Sequence, residues 1–195
     1  MTTFKTSKHH WHYFLAIEKD LENLSRYIEF AKENLSVYSI ELTRLLLSAS
    51  SEIDVIMKEL CTLLEPNKKA EHINDYREII QRRLPVLIKE EVSLDRFGLL
   101  FTPWDSWTGL DNPNWWRSYN NVKHERNNHF SEANLQNTIN AVGALLLTVV
   151  HYYKHSFSKE VGRNLDTRDV IRELGFYDSF ININADDYRY RALVS

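Results

Sequence analysis

The sequence predicts a mainly helical protein, an antiparallel bundle of four to five helices that carries a small C-terminal appendage. Apolar residues recur at gaps of three and four over long stretches, which is the spacing that lines one face of a helix. Only 5 glycines and 4 prolines occur in 195 residues, which disfavours glycine-rich nucleotide-binding folds and sandwiches built on many tight turns. A hydrophobic content of 43% beside 26% charged residues indicates a globular chain rather than a disordered one.

Two apolar stripes predict the first two helices. One stripe runs from Phe14 to Leu35 and the other from Leu42 to Leu63, with polar residues filling the remaining positions. The second helix is expected to stop before Pro66, because proline lacks an amide donor and restricts the residue that precedes it. The break between the two helices is placed between Asn34 and Ser36.

Two further helices follow, of which the last is the more strongly marked. The third is predicted between Lys69 and Glu91, with a kink or a new segment at Pro85. The last long helix is predicted from Leu135 to Tyr153, with Ser131 as its N-cap residue.

Two segments depart from the helical pattern. Residues 97–116 hold four of the five tryptophans together with Pro103, Gly109 and Pro113, and are interpreted as an aromatic loop. After a short helix at 167–174, alternating residues around 184–187 predict a terminal hairpin or two-stranded edge, formed by Ile181, Ile183, Tyr188 and Tyr190. We divide the chain into a helical part, 1–156, and an appendage of the same domain, 157–195.

Charge and cysteine content exclude several classes of protein. A formal charge of −3 excludes binding of nucleic acid through bulk positive charge but leaves room for a local basic site. The single Cys61 lies in an apolar run and is interpreted as a buried structural thiol. The longest strongly apolar stretch, 141–150, is too short to cross a bilayer, so we expect no membrane association and a cytoplasmic location.

The polar residues that carry chemistry concentrate between positions 115 and 130. If a helix begins near Asn114, four side chains fall at i, i+4, i+7 and i+11 and form one polar stripe: Arg117, Asn121, His124 and Asn128. An arginine offers a permanently charged fork for a phosphate, and a histidine exchanges a proton near neutral pH. Lys123 and Arg126 are either solvated charges or, with Asn128, an RNA-binding extension of this strip.

The helical layout and the Arg117–His124 pair resemble HEPN domains, which carry an arginine and a histidine with four to six residues between them near the start of a late helix; here six residues separate the two, just ahead of the last long helix. The resemblance covers roughly residues 17–153 in architecture and this one pair in motif. It implies a homodimer that cleaves RNA without metal or other cofactor. His124 would then act on the 2′-hydroxyl or the leaving oxygen, and Arg117 on the charged phosphorane, with Asn121 in support.

Structural alternatives stay open beside this hypothesis. Arg117 and His124 also suit a role that fastens their helix to the aromatic loop, and the whole chain also suits a non-catalytic module that binds a protein partner through its helices and tryptophans. The tryptophans either stack on bases or, as we favour, pack inside the protein: Trp104, Trp107, Trp115 and Trp116.

Other histidines and acidic residues give no convincing metal site. We interpret a terminal cluster as a flexible segment, made of His9, His10 and His12. His151 and His155, spaced i and i+4, are interpreted as exposed, because no third ligand accompanies them. The acidic residues of the second helix lack the Glu-x-x-His pairs of a di-iron bundle: Glu52, Asp54 and Glu59.

Overall fold

The computed structural model describes residues 4–175 and 179–184, and this part of the chain is mainly helical, as predicted. Its seven α-helices are α1 (His9–Leu24), α2 (Ile40–Leu64), α3 (Ile73–Arg83), α4 (Val86–Lys89), α5 (Asn114–His129), α6 (Leu135–Val161) and α7 (Thr167–Leu174). Three short strands accompany them: β1 (Val92–Leu94), β2 (Leu99–Phe101) and β3 (Asn182–Ile183).

Helices α2 and α6 form the centre of the core and run in the same direction. Near their starts, the Thr138 hydroxyl donates a hydrogen bond to the Leu42 carbonyl at 3.2 Å. Near their ends, Glu59 of α2 and Tyr152 of α6 line the same small pocket. A strictly antiparallel bundle is therefore not what the chain forms, because the long connection through residues 65–134 returns α6 to the starting end of α2.

Helix α1 packs against both α2 and α6 and runs opposite to them. Its last turns lie near the start of α2, where Arg44 forms an ion pair with Asp20 at 2.8 Å. Its first turn lies farther along α2, where His10 Nδ1 lies 2.5 Å from Glu52 Oε1. The antiparallel arrangement holds for this pair of helices.

Helix α1 ends eleven residues before the end of its predicted apolar stripe, so the expected continuation to Leu35 is wrong. After Leu24, the Ser25 hydroxyl donates to the Glu22 carbonyl at 2.7 Å, and the chain enters turns. Ile28 and Leu35 still pack against the core. Apolar residues in a folded-back turn thus reproduce a helical spacing without a helix.

The remaining helices follow the sequence more closely. Helix α2 ends at Leu64, directly before Glu65 and Pro66, and α7 occupies the predicted residues. The predicted third helix is divided into α3 and α4, with Pro85 immediately before α4.

Helix α6 differs from the prediction in its cap and its length. Its N-cap is Asn134, whose side chain accepts from the Asn137 amide at 2.9 Å, so the prediction of Ser131 is wrong. Because α6 continues to Val161, position 156 lies inside this helix rather than between two parts of the chain.

A three-stranded antiparallel sheet in the order β2-β1-β3 joins the aromatic segment to the C-terminal region. Strand β3 pairs with β1, with Val92 opposite Ile183, so the partner of the predicted terminal strand is distant in sequence. The other half of the predicted hairpin, at Tyr188 and Tyr190, lies outside the described residues. Residues 97–116, predicted as a loop, contain β2, a 3₁₀ turn at Asp105–Thr108 and the start of α5.

Two smaller expectations concern apolar segments. Cys61 is buried, and burial raises the pKa of its thiol to about 12, so the prediction of a structural thiol is confirmed. Within residues 4–175 and 179–184, each helix falls short of the length and apolar character that crossing a membrane requires.

Candidate functional site

Four buried tryptophans fix the position of α5, the helix that carries the predicted site. The rings of Trp104 and Trp107 lie 4.2 Å apart, and Trp115 meets Trp104 edge-on at 5.0 Å. The Trp115 indole donates to the Pro103 carbonyl at 2.8 Å. All four indoles, Trp116 included, are buried, which confirms packing and leaves none of them free to stack on a base.

The opposite face of α5 is exposed and carries the three predicted catalytic residues. At 100° per residue, Arg117, Asn121 and His124 fall within about 60° of the helix circumference, and Arg117 and His124 are separated by about 10 Å along the axis. All three side chains are exposed. The sequence pattern and the structure therefore agree on one polar face from Arg117 to His124.

The polar face ends at Glu125, where the backbone leaves the helical region with φ −137° and ψ 53°. The predicted position of Asn128 on the stripe assumes an unbroken helix from Asn114, and the helix is interrupted at Glu125. The Asn128 side chain bonds instead to Glu125, at 3.4 Å. The prediction that Asn128 continues the stripe of Arg117 and His124 is therefore wrong, because the helix that the prediction assumes is not continuous.

The side chains on this face make separate hydrogen bonds. The Arg117 guanidinium donates to the Asn114 side chain, one turn back towards the start of α5. The Asn121 amide donates to the Glu132 carboxylate at 3.0 Å. Among the hydrogen bonds of the described residues, none joins Arg117 to His124. A single copy of the chain thus presents the two groups on one face without bringing them into contact.

Glu132 is the polar centre that holds the end of α5 to the start of α6, and sequence reasoning missed it. Partial burial acts to raise the pKa of its carboxyl group. Hydrogen bonds from Asn121, His129 and Ser118 outweigh that effect and lower the pKa below its ordinary value. His129 Nδ1 lies 2.6 Å from the carboxylate. Glu132 therefore stays ionised and keeps Asn121 in a fixed orientation.

The predicted RNA-binding residues lie on other sides of α5. Lys123 extends over the Tyr119 ring, with its amine 5.3 Å from the ring centroid and 3.2 Å from the hydroxyl. Arg126 is exposed and follows the break at Glu125. Neither side chain is placed on the helix face of Arg117, Asn121 and His124.

A polar cleft of about 900 Å³ opens beside Arg117, and the sequence did not reveal it. Its walls come from three parts of the chain: the segment 100–114, the first half of α5 and the first turns of α6. Arg117 and Asn121 line it, whereas His124 does not. The signal that points to it is the density of amides, since nine asparagines occur between positions 112 and 140. The cleft also contains carboxylates, of which the relevant ones are Asp105, Asp111 and Glu132.

The histidines outside α5 are placed differently from the sequence interpretation. His9 and His10 begin α1 and His10 is buried, so the prediction of a flexible terminal cluster is wrong. His151 is also buried, with Nε2 2.6 Å from the Glu90 carboxylate, which contradicts an exposed pair. Burial, with smaller effects of His151 and Lys154, lowers the pKa of His155 to about 4.

His10 and His151 are packed in the core, each beside a carboxylate. Neither residues 4–175 nor residues 179–184 contain a group of three or more histidine, cysteine or acidic side chains that fits a metal ion. Two acidic residues of α2 form ion pairs instead, Glu52 with His10 and Asp54 with Lys58.

The exposed face of α5 therefore combines a permanent cation, an amide and a titratable imidazole within about 10 Å. Such a set suits phosphate binding with proton transfer, and it needs no metal ligand to operate. Comparison of the chain with protein-family models, with curated proteins and with solved structures finds no match.

Proposed function

We propose that this protein is a metal-independent, HEPN-like endoribonuclease of the cytoplasm that acts as a homodimer. The observation that supports it is the exposed face of α5, which carries Arg117, Asn121 and His124. Buried aromatic residues on the opposite face anchor this helix. Guanidinium and imidazole groups are the pair that phosphodiester transfer needs, since one binds the anionic phosphoryl oxygens and the other moves protons near neutral pH.

In the proposed reaction, the 2′-oxygen of RNA forms a bond to phosphorus while the bond from phosphorus to the 5′-oxygen breaks. His124 of one copy accepts the proton of the 2′-hydroxyl, and a protonated His124 of the second copy donates a proton to the departing 5′-oxygen. The products carry a 2′,3′-cyclic phosphate and a 5′-hydroxyl. Arg117 stabilises the extra negative charge that develops on the phosphoryl oxygens.

Asn121 is proposed to orient the imidazole. Its amide nitrogen is occupied by Glu132, so its carbonyl oxygen is the atom left to accept a hydrogen bond. His124 lies three residues later on the same helix, within the range in which helical side chains meet. A fixed acceptor there selects one tautomer of the imidazole.

The experiment measures cleavage of single-stranded RNA by purified protein in EDTA. We expect cleavage by the wild type and a loss of about 10²–10⁴-fold in His124→Ala. His12→Ala is the matched control, because His12 is an exposed histidine on α1, away from the site, and should retain full activity.

Two outcomes would contradict the proposal. Equal activity of the wild type and His124→Ala would assign cleavage to another site or to a contaminant. No cleavage of any RNA by folded wild-type protein would favour the alternative, a non-catalytic module that binds a protein partner.

A further inference from the structure

The polar cleft beside Arg117 adjoins the proposed catalytic face and has no part in the proposed reaction. Its volume of about 900 Å³ lies within the range of small-molecule sites. Arg117 lines the cleft and also lies on the exposed face with His124, so it stands at the boundary between the two. A phosphate held by Arg117 would therefore have one neighbouring nucleotide at the cleft.

The walls of the cleft are held in place before any ligand binds. On one side, the Gln81 amide of α3 donates to the carbonyls of Trp107 and Gly109 at 2.7 and 2.9 Å. On the other side, the Asn137 amide donates to the Ser118 hydroxyl at 3.0 Å and so joins α6 to α5. A site with fixed walls loses little freedom on binding and selects ligands by shape and by the placement of polar atoms.

Several polar groups of the lining keep hydrogen-bonding capacity. The carboxylates of Asp105 and Asp111 are exposed, and the side-chain hydrogen bonds and ion pairs of the described residues include neither. The Ser106 hydroxyl is buried in the lining and has no hydrogen-bond partner there. The free groups are thus two acceptors, the carboxylates of Asp105 and Asp111, and two groups that both donate and accept, the Ser106 hydroxyl and the Gln136 amide.

The distribution of charge favours different parts of a nucleotide in different places. Inside the cleft, Asp105, Asp111 and Glu132 repel a phosphate, whereas a nucleobase is neutral and enters without that penalty. The cations lie on the α5 side, with Arg117 exposed in the lining and Lys123 outside it. This distribution directs the backbone of a bound strand to α5 and a base to the cleft.

We infer that the cleft binds one nucleobase of single-stranded RNA and prefers bases with an exocyclic amino group to uracil; this rests on the proposed function. Carboxylates accept hydrogen bonds from the amino groups of cytosine and adenine, and an amide pairs with the donor and acceptor edge of adenine. Uracil has one carbonyl oxygen on each side of its single imino donor. These two oxygens repel the carboxylates of Asp105 and Asp111.

The test measures binding separately from cleavage. Fluorescein-labelled 12-mers of oligocytidine, oligoadenosine and oligouridine are titrated with His124→Ala protein, and anisotropy gives their dissociation constants. We expect oligocytidine and oligoadenosine to bind about tenfold more tightly than oligouridine. In a protein that also carries Asp105→Asn and Asp111→Asn, this ratio should fall towards one. Adding Glu33→Gln instead, at an exposed carboxylate outside the cleft, should leave the ratio unchanged.

Equal affinity for the three oligonucleotides, or a ratio that survives both cleft substitutions, would overturn the inference. Its failure is distinguishable from failure of the proposed function. Cleavage without base preference would leave the ribonuclease standing and remove the base site. Base-selective binding by a protein that cleaves no RNA would keep the base site and remove the ribonuclease.

Discussion

Gly143 lies where α6 packs against strand β1 and Pro103, and replacing it by alanine should destabilise the protein. A Cβ atom built at Gly143 would lie 2.6 Å from Val92 Cγ2, 3.3 Å from Pro103 Cγ and 3.5 Å from Ile181 Cδ1. Carbon atoms in ordinary contact are separated by about 3.5–4 Å. The new methyl group therefore overlaps one neighbour severely and crowds a second.

Two opposing effects set the size of the change. Alanine favours a helix interior over glycine by about 1 kcal/mol. Forcing a methyl group into a well-packed core costs about 1–3 kcal/mol, and Val92 is buried between two strands, where it cannot move away freely. The net expectation is a loss of about 1 kcal/mol in the free energy of unfolding.

Urea denaturation followed by far-UV circular dichroism measures this difference. Gly109→Ala is the matched control, because its Cβ would meet one backbone oxygen at 3.7 Å, an ordinary contact, and its φ is negative. We expect the control to differ from the wild type by less than about 0.5 kcal/mol. A Gly143→Ala protein that is as stable as the wild type, or more stable, would refute the packing argument.

Three further predictions concern buried and capping groups. Because burial lowers the pKa of His155 from 6.5 to about 4, the unfolded chain binds a proton between these pH values that the folded chain does not, so the free energy of unfolding should fall by at most about 3 kcal/mol as pH falls from 6.5 to 4. His155→Gln should show a shallower loss in urea melts between pH 7 and 4.5, and an equal slope would contradict the assignment. The Cys61 thiol, whose pKa is raised to about 12 by burial, should react with a thiol reagent at pH 8 only after unfolding, and rapid labelling of folded protein would disprove its burial. Asn134→Ala should remove the N-cap of α6 and cost about 1 kcal/mol in a urea melt, whereas Ser131→Ala should have no comparable effect.

Helical elements were predictable where local signals agreed. Helix α2 combines an apolar stripe with a following proline, and the apolar stripe from Leu135 to Tyr153 lies entirely within α6. Helix α1 was predicted too long, because Ile28 and Leu35 fold back onto the core and give the same spacing as a helix. The spacing of apolar residues therefore indicates which residues are buried, but it does not by itself determine whether the backbone between them is helical.

The sheet shows what a local pattern cannot predict. Strand β1 has three residues, all buried, and so lacks the alternation that marks a half-exposed strand. Its partner β3 lies about ninety residues away in the sequence. The terminal strand around Ile183 was recognisable, but its pairing with Val92 depends on packing against α6.

The site was predictable as one helix face and not as a cavity. The spacing of Arg117, Asn121 and His124 predicted their shared exposure correctly. No proline or glycine lies at or beside the break at Glu125, so the sequence does not predict it. For this reason the predicted position of Asn128 on the stripe is wrong. The cleft forms where the segment 100–114 meets α6. Contacts between segments that are separate in the sequence produce no periodic pattern from which a cavity could be predicted.

The central claim is tested most directly by a DNA strand that contains a single ribonucleotide, incubated with wild-type protein in EDTA. If the 2′-hydroxyl is the nucleophile, the strand is cut only at the 3′ side of that ribonucleotide. The upstream product then ends in a 2′,3′-cyclic phosphate and the downstream one in a 5′-hydroxyl, and a 2′-O-methyl group at the same position prevents the cut. Cleavage at deoxynucleotides, or products with a 5′-phosphate, would contradict the mechanism assigned to Arg117 and His124.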